Sequence, residues 1–328
     1  MDLATTDPDK VLDTLDRRLV GALQVDGRAE PGRIAEVLGV SARTVTRRLG
    51  LLRRAGVLRV VRMPDVEDAA VGALLLRVRV LRGRVDAIAR ALAERPDVPF
   101  VDVMLGGQEV GAVMLSDAGA RDRLLYGQLP ATDAVTETTT HAVLHAFSDA
   151  GQWQAGWLTA QEAAALARPV VPRPAAPPAL DDLDHALLDR LGEDARQSHA
   201  VLAGAVGAPE STVRRRLHRL DGLGLLRTHV TVDPRLLGMA VDANLWLDVP
   251  PGRLAEVGAE LARHPQVHGV FATSGPTNLL ATLFSPDHGG LYRFLADTLG
   301  PLGVTRAETT ITARAVKRAG VLLRQPRS

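Results

Sequence analysis

The chain is predicted to be an α+β protein: two tandem copies of a winged helix-turn-helix head followed by a ferredoxin-like β-α-β-β-α-β domain. Three observations predict this. A basic helix, Ser41–Arg54, carries one apolar stripe of Val45, Leu49 and Leu52 at i, i+4 and i+7. The stripe returns without a gap as Val213, Leu217 and Leu220, 168 positions later, the mark of an internal duplication. After each helical stretch, β-branched segments alternate with amphipathic ones in matching order.

In the first head, Asp16–Leu23 reads as a helix and Asp26-Gly27-Arg28 as a turn. Pro31–Leu38 is a short second helix that stops at Gly39, because glycine takes a left-handed C-cap without a Cβ clash. The third helix starts at Ser41, whose hydroxyl suits a free amide hydrogen of the first turn, and ends at Gly56. Val57–Arg62 is β-branched and reads as a strand or wing. Asp184, Asp194-Ala195-Arg196, Thr212–Leu217 and Gly224–Arg227 repeat Asp16, Asp26–Arg28, Thr44–Leu49 and Gly56–Arg59.

The segments behind the heads also correspond. Leu74–Leu81 and Asn244–Val249 read as strands, and Val85–Glu94 and Leu254–Arg263 as helices ended by Pro96 and Pro265. Phe100–Leu105 and Val270–Thr273 are the next strands. Glycine turns at Gly106 and Gly275 then lead into strands reaching Leu115 and Leu283. Helices at Ala120–Tyr126 and Leu291–Leu299 precede threonine-rich strands at Val135–Leu144 and Ala307–Ala313, completing the ferredoxin-like order. The expected boundaries are a head at 10–64, a ferredoxin-like domain at 65–160, a linker at 161–179, a second head at 180–232 and a second ferredoxin-like domain at 233–328. Five prolines, at 169, 172, 174, 177 and 178, make the linker extended and semi-rigid.

Composition narrows the function. With 328 residues, 46% hydrophobic, the chain can bury several cores. Its net charge of +1 means that any nucleic-acid binding must come from local clustering. Having no cysteine, it forms no disulfide, thiol nucleophile or cysteine metal site. The first ten residues lack a signal-peptide pattern and the apolar runs are too short for a bilayer, so a cytoplasmic location without a membrane partner is expected. There is no P-loop or dinucleotide-binding glycine motif, and no cofactor, metal or catalytic residue is implied.

A basic helix with a narrow core stripe suits the major groove of double-stranded DNA. The candidate DNA-binding residues are Ser41, Arg43, Thr44, Thr46, Arg47 and Arg48 in the first head. In the second they are Ser211, Thr212, Arg214, Arg215, Arg216 and His218. Arginine grips phosphate or guanine, and serine and threonine serve phosphate or base edges. Arg48 and Arg216 lie beside the apolar stripe, so each has a competing role as a brace paired to a carboxylate. The two faces differ: Glu210-Ser211 stands where the first head has Ala42-Arg43, Arg214 replaces Thr46, and Pro209 replaces Ser41. Unlike faces imply an imperfect palindrome. His141 and His145 fall on a strand without a third ligand nearby in sequence, which favours a structural role over a metal site. Trp153, Trp157 and Phe147 read as packing at a domain edge.

These residues resemble the Lrp/AsnC family of feast/famine regulators. The resemblance is carried by Leu12–Leu19, Asp26–Arg28, Ile34-Ala35, Leu38–Ser41, Thr44-Val45, Arg48-Leu49 and Gly56-Val57. Leu180–Asp184, Asp194–Arg196, Leu202-Ala203, Thr212-Val213, Arg216-Leu217 and Gly224-Leu225 carry it in the second copy, with Glu308–Arg318 at the C-terminal end. It implies a double-length DNA-binding transcription regulator that associates into homo-oligomers through its ferredoxin-like domains and binds a small, amino-acid-like effector. The implied effector-binding residues are Gly106, Gly107 and Glu109, with Gly275, Thr277 and Asn278 in the second copy. The family often has aspartate where Glu109 and Asn278 stand, and the asparagine puts two equivalent pockets in doubt. Sirohaem decarboxylases resemble the same architecture but carry histidine-rich strands. Here Phe100–Leu105 and His268–Thr273 hold only His268. A ligand-binding adaptor without DNA contact is the third reading.

Overall fold

The structure is a computed structural model that describes residues 12–63, 72–115, 117–169, 171 and 178–323. In the first copy the order is α1 (Thr14–Val25), α2 (Pro31–Leu38), α3 (Ala42–Arg54), β1 (Leu58–Arg62), β2 (Ala73–Val80), α4 (Val85–Glu94), β3 (Phe100–Met104), β4 (Glu109–Leu115), α5 (Ala118–Asp122) and β5 (Val135–Ser148). Then come α6 (Ala160–Leu166), α7 (Asp182–Glu193), α8 (His199–Val206), α9 (Glu210–Gly222), β6 (Thr228–Val232), β7 (Val241–Asp248), α10 (Leu254–Ala262), β8 (Val267–Thr273), β9 (Leu279–Ser285), α11 (His288–Arg293), β10 (Arg306–Arg318) and β11 (Val321–Leu322). The chain divides into two compact units, 1–65 with 154–238 and 66–153 with 239–328. Each unit therefore takes one part from each copy of the repeat.

The first unit joins the heads. Val45, Leu49 and Leu52 on α3 are buried with Leu19, Leu23 and Ile34, so the apolar stripe is the packing face. Val213, Leu217 and Leu220 close a matching core with Leu187, Leu191 and Leu202. The segment expected as a strand or wing, β1, runs antiparallel to β6 of the second head, a strand the sequence reading does not assign, with Val60 opposite Val230. The repeated Asp-x-Arg turns clasp this pairing. Asp26 and Asp194 each accept the amide hydrogen two residues on, which shapes the turn. Arg28 then donates to Ala195 O, while Arg196 donates to Gly27 O and Ala29 O. Gly27 has no room for a side chain, since a Cβ would lie 2.4 Å from Thr228 Oγ1.

The second unit joins the ferredoxin-like domains. In each copy the last strand flanks the first, giving the spatial orders β3-β4-β2-β5 and β8-β9-β7-β10. The last strands then continue past their own sheets. Val143–Ser148 of β5 pair with β8, and Thr312–Lys317 of β10 pair with β3. This closes eight strands on themselves and removes the unpaired edges at which sheets aggregate. The helices α4 and α10 cover the two outer cores. Leu75, Trp246 and Leu280, with Val113, Val143 and Phe271, form a core between the copies.

Two expectations change. β5 and β10 extend beyond 135–144 and 307–313 because the other copy supplies hydrogen-bond partners that no local pattern announces. The stretch expected as an extended linker opens with helix α6, where Thr159 and Glu162 form a reciprocal capping box. Glu162 pairs with Arg18 of α1, and Leu166 is fully buried. Pro172, Pro174 and Pro177 of that stretch lie outside the described residues.

Candidate DNA-reading faces and effector cavity

Ser41 Oγ accepts the Thr44 amide hydrogen at 3.1 Å, so this serine starts α3 as a cap, and its hydroxyl also contacts Thr44 Oγ1. Arg43, Thr46 and Arg47 are exposed on the face opposite the stripe. On α9 the exposed set is Ser211, Arg214, Arg215 and His218, with Thr212 half-buried. Glu210 sits in the first turn of α9, 3.7 Å from Arg214. One reading helix thus opens on serine and arginine, the other on proline and a carboxylate.

Arg48 and Arg216 leave the reading set. Arg48 Nη1 reaches Asp13 at 2.6 Å and Asp16 at 3.0 Å. Arg216 reaches Asp181 at 2.8 Å and Asp184 at 3.3 Å, and Arg219 joins it on Asp184 at 2.6 Å. These acids start α1 and α7, so the arginines tie the third helix of each head to the first. The cause is geometric: both arginines flank the stripe and so point toward the packed neighbour. Burial and the Asp13 charge push Asp16 above the usual carboxylate range, with Arg48 opposing. Asp184 is the most enclosed member, its side chain 1% exposed. Asp184→Ala is expected to destabilise the second head by about 2–4 kcal/mol, because two guanidiniums lose a buried counter-charge. Arg215→Ala is expected to stay within about 0.5 kcal/mol, as a surface change. Hydrogen exchange of α7 and α9 amides checks both.

In the second unit a cavity of about 180 Å³ is lined by Arg77, Arg79, Glu109, Glu137, Thr139, His141, Pro276, Thr277, Arg306 and Glu308. Glu109 and Thr277 are the two expected effector residues in its wall. Gly106 and Gly107 form the turn before β4, where Gly107 takes φ 67°. Gly275 works differently: at φ 102°, a Cβ there would lie 2.8 Å from His141 Nδ1. Its absence lets Ser274 O accept that Nδ1 hydrogen at 2.9 Å. Asn278 turns into its own sheet, accepting from Val249 N–H and donating to Val249 O. It braces the turn and does not line the cavity.

Arg77 was not a sequence candidate, yet it organises the wall. It donates to both oxygens of Glu109 and both of Glu308, and its guanidinium lies 5.2 Å from the Trp246 ring centre. The Arg77-Val78-Arg79 alternation places both arginines on one strand face, a signal available in the sequence. Glu308 comes from the other copy, which no local pattern reveals. His141 packs at 4.6 Å on Trp246, and Trp153 donates to Pro265 O and meets Phe284 edge-on. Trp157 lies in the first unit beneath Arg17. Among the described residues no cluster of three metal-ligating side chains occurs, and no helix is long and apolar enough to cross a membrane.

Comparison with known proteins agrees with this anatomy. The AsnC-type helix-turn-helix domain matches residues 12–53 and 180–221, and the Lrp/AsnC ligand binding domain matches 242–322. An HTH-type transcriptional regulator of Pyrococcus horikoshii is 31% identical over 140 residues, covering 42% of this chain and 89% of that protein. LrpA of Pyrococcus abyssi is 26% identical over 140 residues, covering 42% of this chain and 99% of LrpA. Over the whole length the chain shares its fold with the siroheme decarboxylase NirDL, solved with an iron-uroporphyrin III analogue. The TM-score is 0.59 at 13% identity, with 93% of both chains covered. Two heads of one family and a ligand-binding domain of the same family make this chain a double-length member of the Lrp/AsnC family.

Proposed function

We propose that the chain is a sequence-specific transcription regulator that reads an uneven pair of DNA half-sites with two unlike helices and responds to a small effector. The observation that carries the reading is the joining of two heads by β1 and β6 with different exposed sets, Arg43, Thr46 and Arg47 against Ser211, Arg214, Arg215 and His218. A dimer of identical chains presents two equal faces; this chain presents two unequal ones by itself. Selection of bound fragments from a genomic pool, followed by footprinting, is expected to give an asymmetric pair of half-sites with salt-dependent affinity. A strictly symmetric site, or no salt-dependent binding, overturns the reading; the second result favours the adaptor. Further homo-oligomerisation belongs to the same reading and is checked by mass in solution.

The fold shared with NirDL supports a second reading, an enzyme acting on a tetrapyrrole. Titration with iron-uroporphyrin III distinguishes them. A new absorption band at stoichiometric loading favours the enzyme, and an unchanged spectrum favours the regulator.

A further inference from the structure

We infer that the inner sheet faces of the two ferredoxin-like copies form a one-way recognition surface, on which the first copy accepts the second and rejects a copy of its own kind. The inference is independent of what the chain binds. It assigns to this surface the choice of partner, and any further association of chains then uses other surfaces.

The copies correspond position by position. Val143, His145, Ala146 and Ser148 of β5 face Thr273, Ala272, Phe271 and Val270 of β8. Thr312, Arg314, Ala315 and Lys317 of β10 face Met104, Val103, Asp102 and Val101 of β3, with bulges at the same places. Every residue stands 169 positions from its counterpart. A pairing of like copies would keep this backbone register and change only the side chains. Its cost is therefore read by exchanging counterparts.

Exchange spoils the core between the copies. Leu75, Val113 and Val143 of the first copy meet Trp246, Phe271 and Leu280 of the second. At the same offset, their counterparts are Asn244, Thr282 and Thr312, and Arg77, Asp102 and Gly111. Two first copies would set Arg77 and Asp102 against the Leu75 group. Two second copies would set Trp246 and Phe271 against Asn244 and two threonines. Either one buries polar groups beside apolar ones that cannot hydrogen-bond them. Arg77 and Trp246 are themselves counterparts and lie 5.2 Å apart, so they mark the pseudo-twofold axis. Two first copies would bring one guanidinium onto another there.

Size and charge agree at the rim. Phe147 of β5 lies so close to Gly258 of α10 that a Cβ there would overlap its ring. The counterparts Val316 and Ala89, a smaller side chain and a larger helix residue, share the other core. Two first copies would press Phe147 into Ala89, and two second copies would leave Val316 over a void at Gly258. Arg318 of the second copy pairs with Asp102 of the first, and their counterparts are Asp149 and Phe271. Two first copies would oppose two acids, and two second copies would turn Arg318 toward a ring. Both like pairings lose in core, size and charge, which is how one partner is chosen over another.

Urea unfolding of the full chain, followed by fluorescence in a Trp157→Phe background, tests the fit. Gly258→Ala writes phenylalanine on alanine, as two first copies would, and is expected to lower the midpoint by roughly 1 M. Adding Phe147→Val recreates the pair found at Val316 and Ala89 and is expected to recover at least half of that loss. A silent single variant, or no recovery in the double, overturns the inference. Partner choice is read by cutting a protease site placed between residues 169 and 178 of the folded chain. The cut chain is unfolded in urea, renatured and weighed by native mass spectrometry. Unlike pairs are expected to make up about nine in ten, against about half for halves without preference. Gly258→Ala in the cut chain is expected to raise the share of like pairs about threefold, because it gives both helices alanine. Like pairs near half in the unsubstituted chain, or a share unmoved by Gly258→Ala, overturn the assignment of the choice to these faces.

Discussion

Arg318→Ala is expected to destabilise the strand-closed unit by about 3–5 kcal/mol at pH 7, because it strands two buried carboxylates. Arg318 lies between Asp102 of β3 and Asp242 of β7, one from each copy, all three side chains 15–18% exposed. His268 approaches Asp242 from the far side at 3.8 Å and is stacked on Phe284. Burial pushes Asp102 up to about 6 despite Arg318, with the Asp242 charge adding to the rise. Asp242 is held below the usual range, since His268 and Arg318 outweigh its burial.

The pH dependence follows in sign. An acid whose folded pKa lies above the unfolded value of about 3.9 binds its proton more tightly in the native state. Its contribution is therefore largest below about pH 4 and is lost as pH rises through 6. Removing Arg318 raises Asp102 further, so the mutant takes up a proton near neutrality and recovers part of its deficit at pH 5. Urea unfolding followed by fluorescence in a Trp157→Phe background reads this, since Trp153 and Trp246 belong to the affected unit. A deficit below 1 kcal/mol, or one equal at pH 5 and pH 7, contradicts the argument.

Arg47→Ala and Arg215→Ala are each expected to weaken DNA binding by about 1–3 kcal/mol, roughly 5- to 150-fold. Both residues are exposed on reading helices, so folding is unaffected. Because the faces differ, the two losses are expected to map to different half-sites in a footprint. Arg48→Ala is the contrasting control. It releases Asp13 and Asp16 and is expected to loosen α1 from α3 before it affects contact with DNA. If Arg215→Ala leaves binding unchanged at fixed salt, the second head is a scaffold for the first.

The helical heads were legible because their information is local. Capping serines, glycine stops and a 3.6-residue stripe occur within a dozen residues, and the repeat at 168 made each assignment twice. Arg48 and Arg216 were ambiguous for a physical reason. A residue flanking the stripe can turn outward to phosphate or inward to an acid, and only the placement of Asp13 and Asp181 beside the third helices settles the choice. The cavity was half legible. Glu109 and Thr277 lie on recognisable turns, but Arg77 gains its role from Glu308, some 230 residues away in sequence. Asn278 shows the reverse: a residue at the expected position braces its own turn.

By itself, the sequence determined the repeat, the helix-turn-helix heads, the ferredoxin-like order and the inequality of the two reading faces, since each depends on short-range periodicity or direct comparison of copies. The tertiary structure decided which part joins which. Head pairs with head through β1 and β6, and sheet with sheet through the extended ends of β5 and β10. Strand edges hydrogen-bond to any compatible backbone, so partner choice is not written in local pattern. It emerges when both copies fold and leave complementary edges.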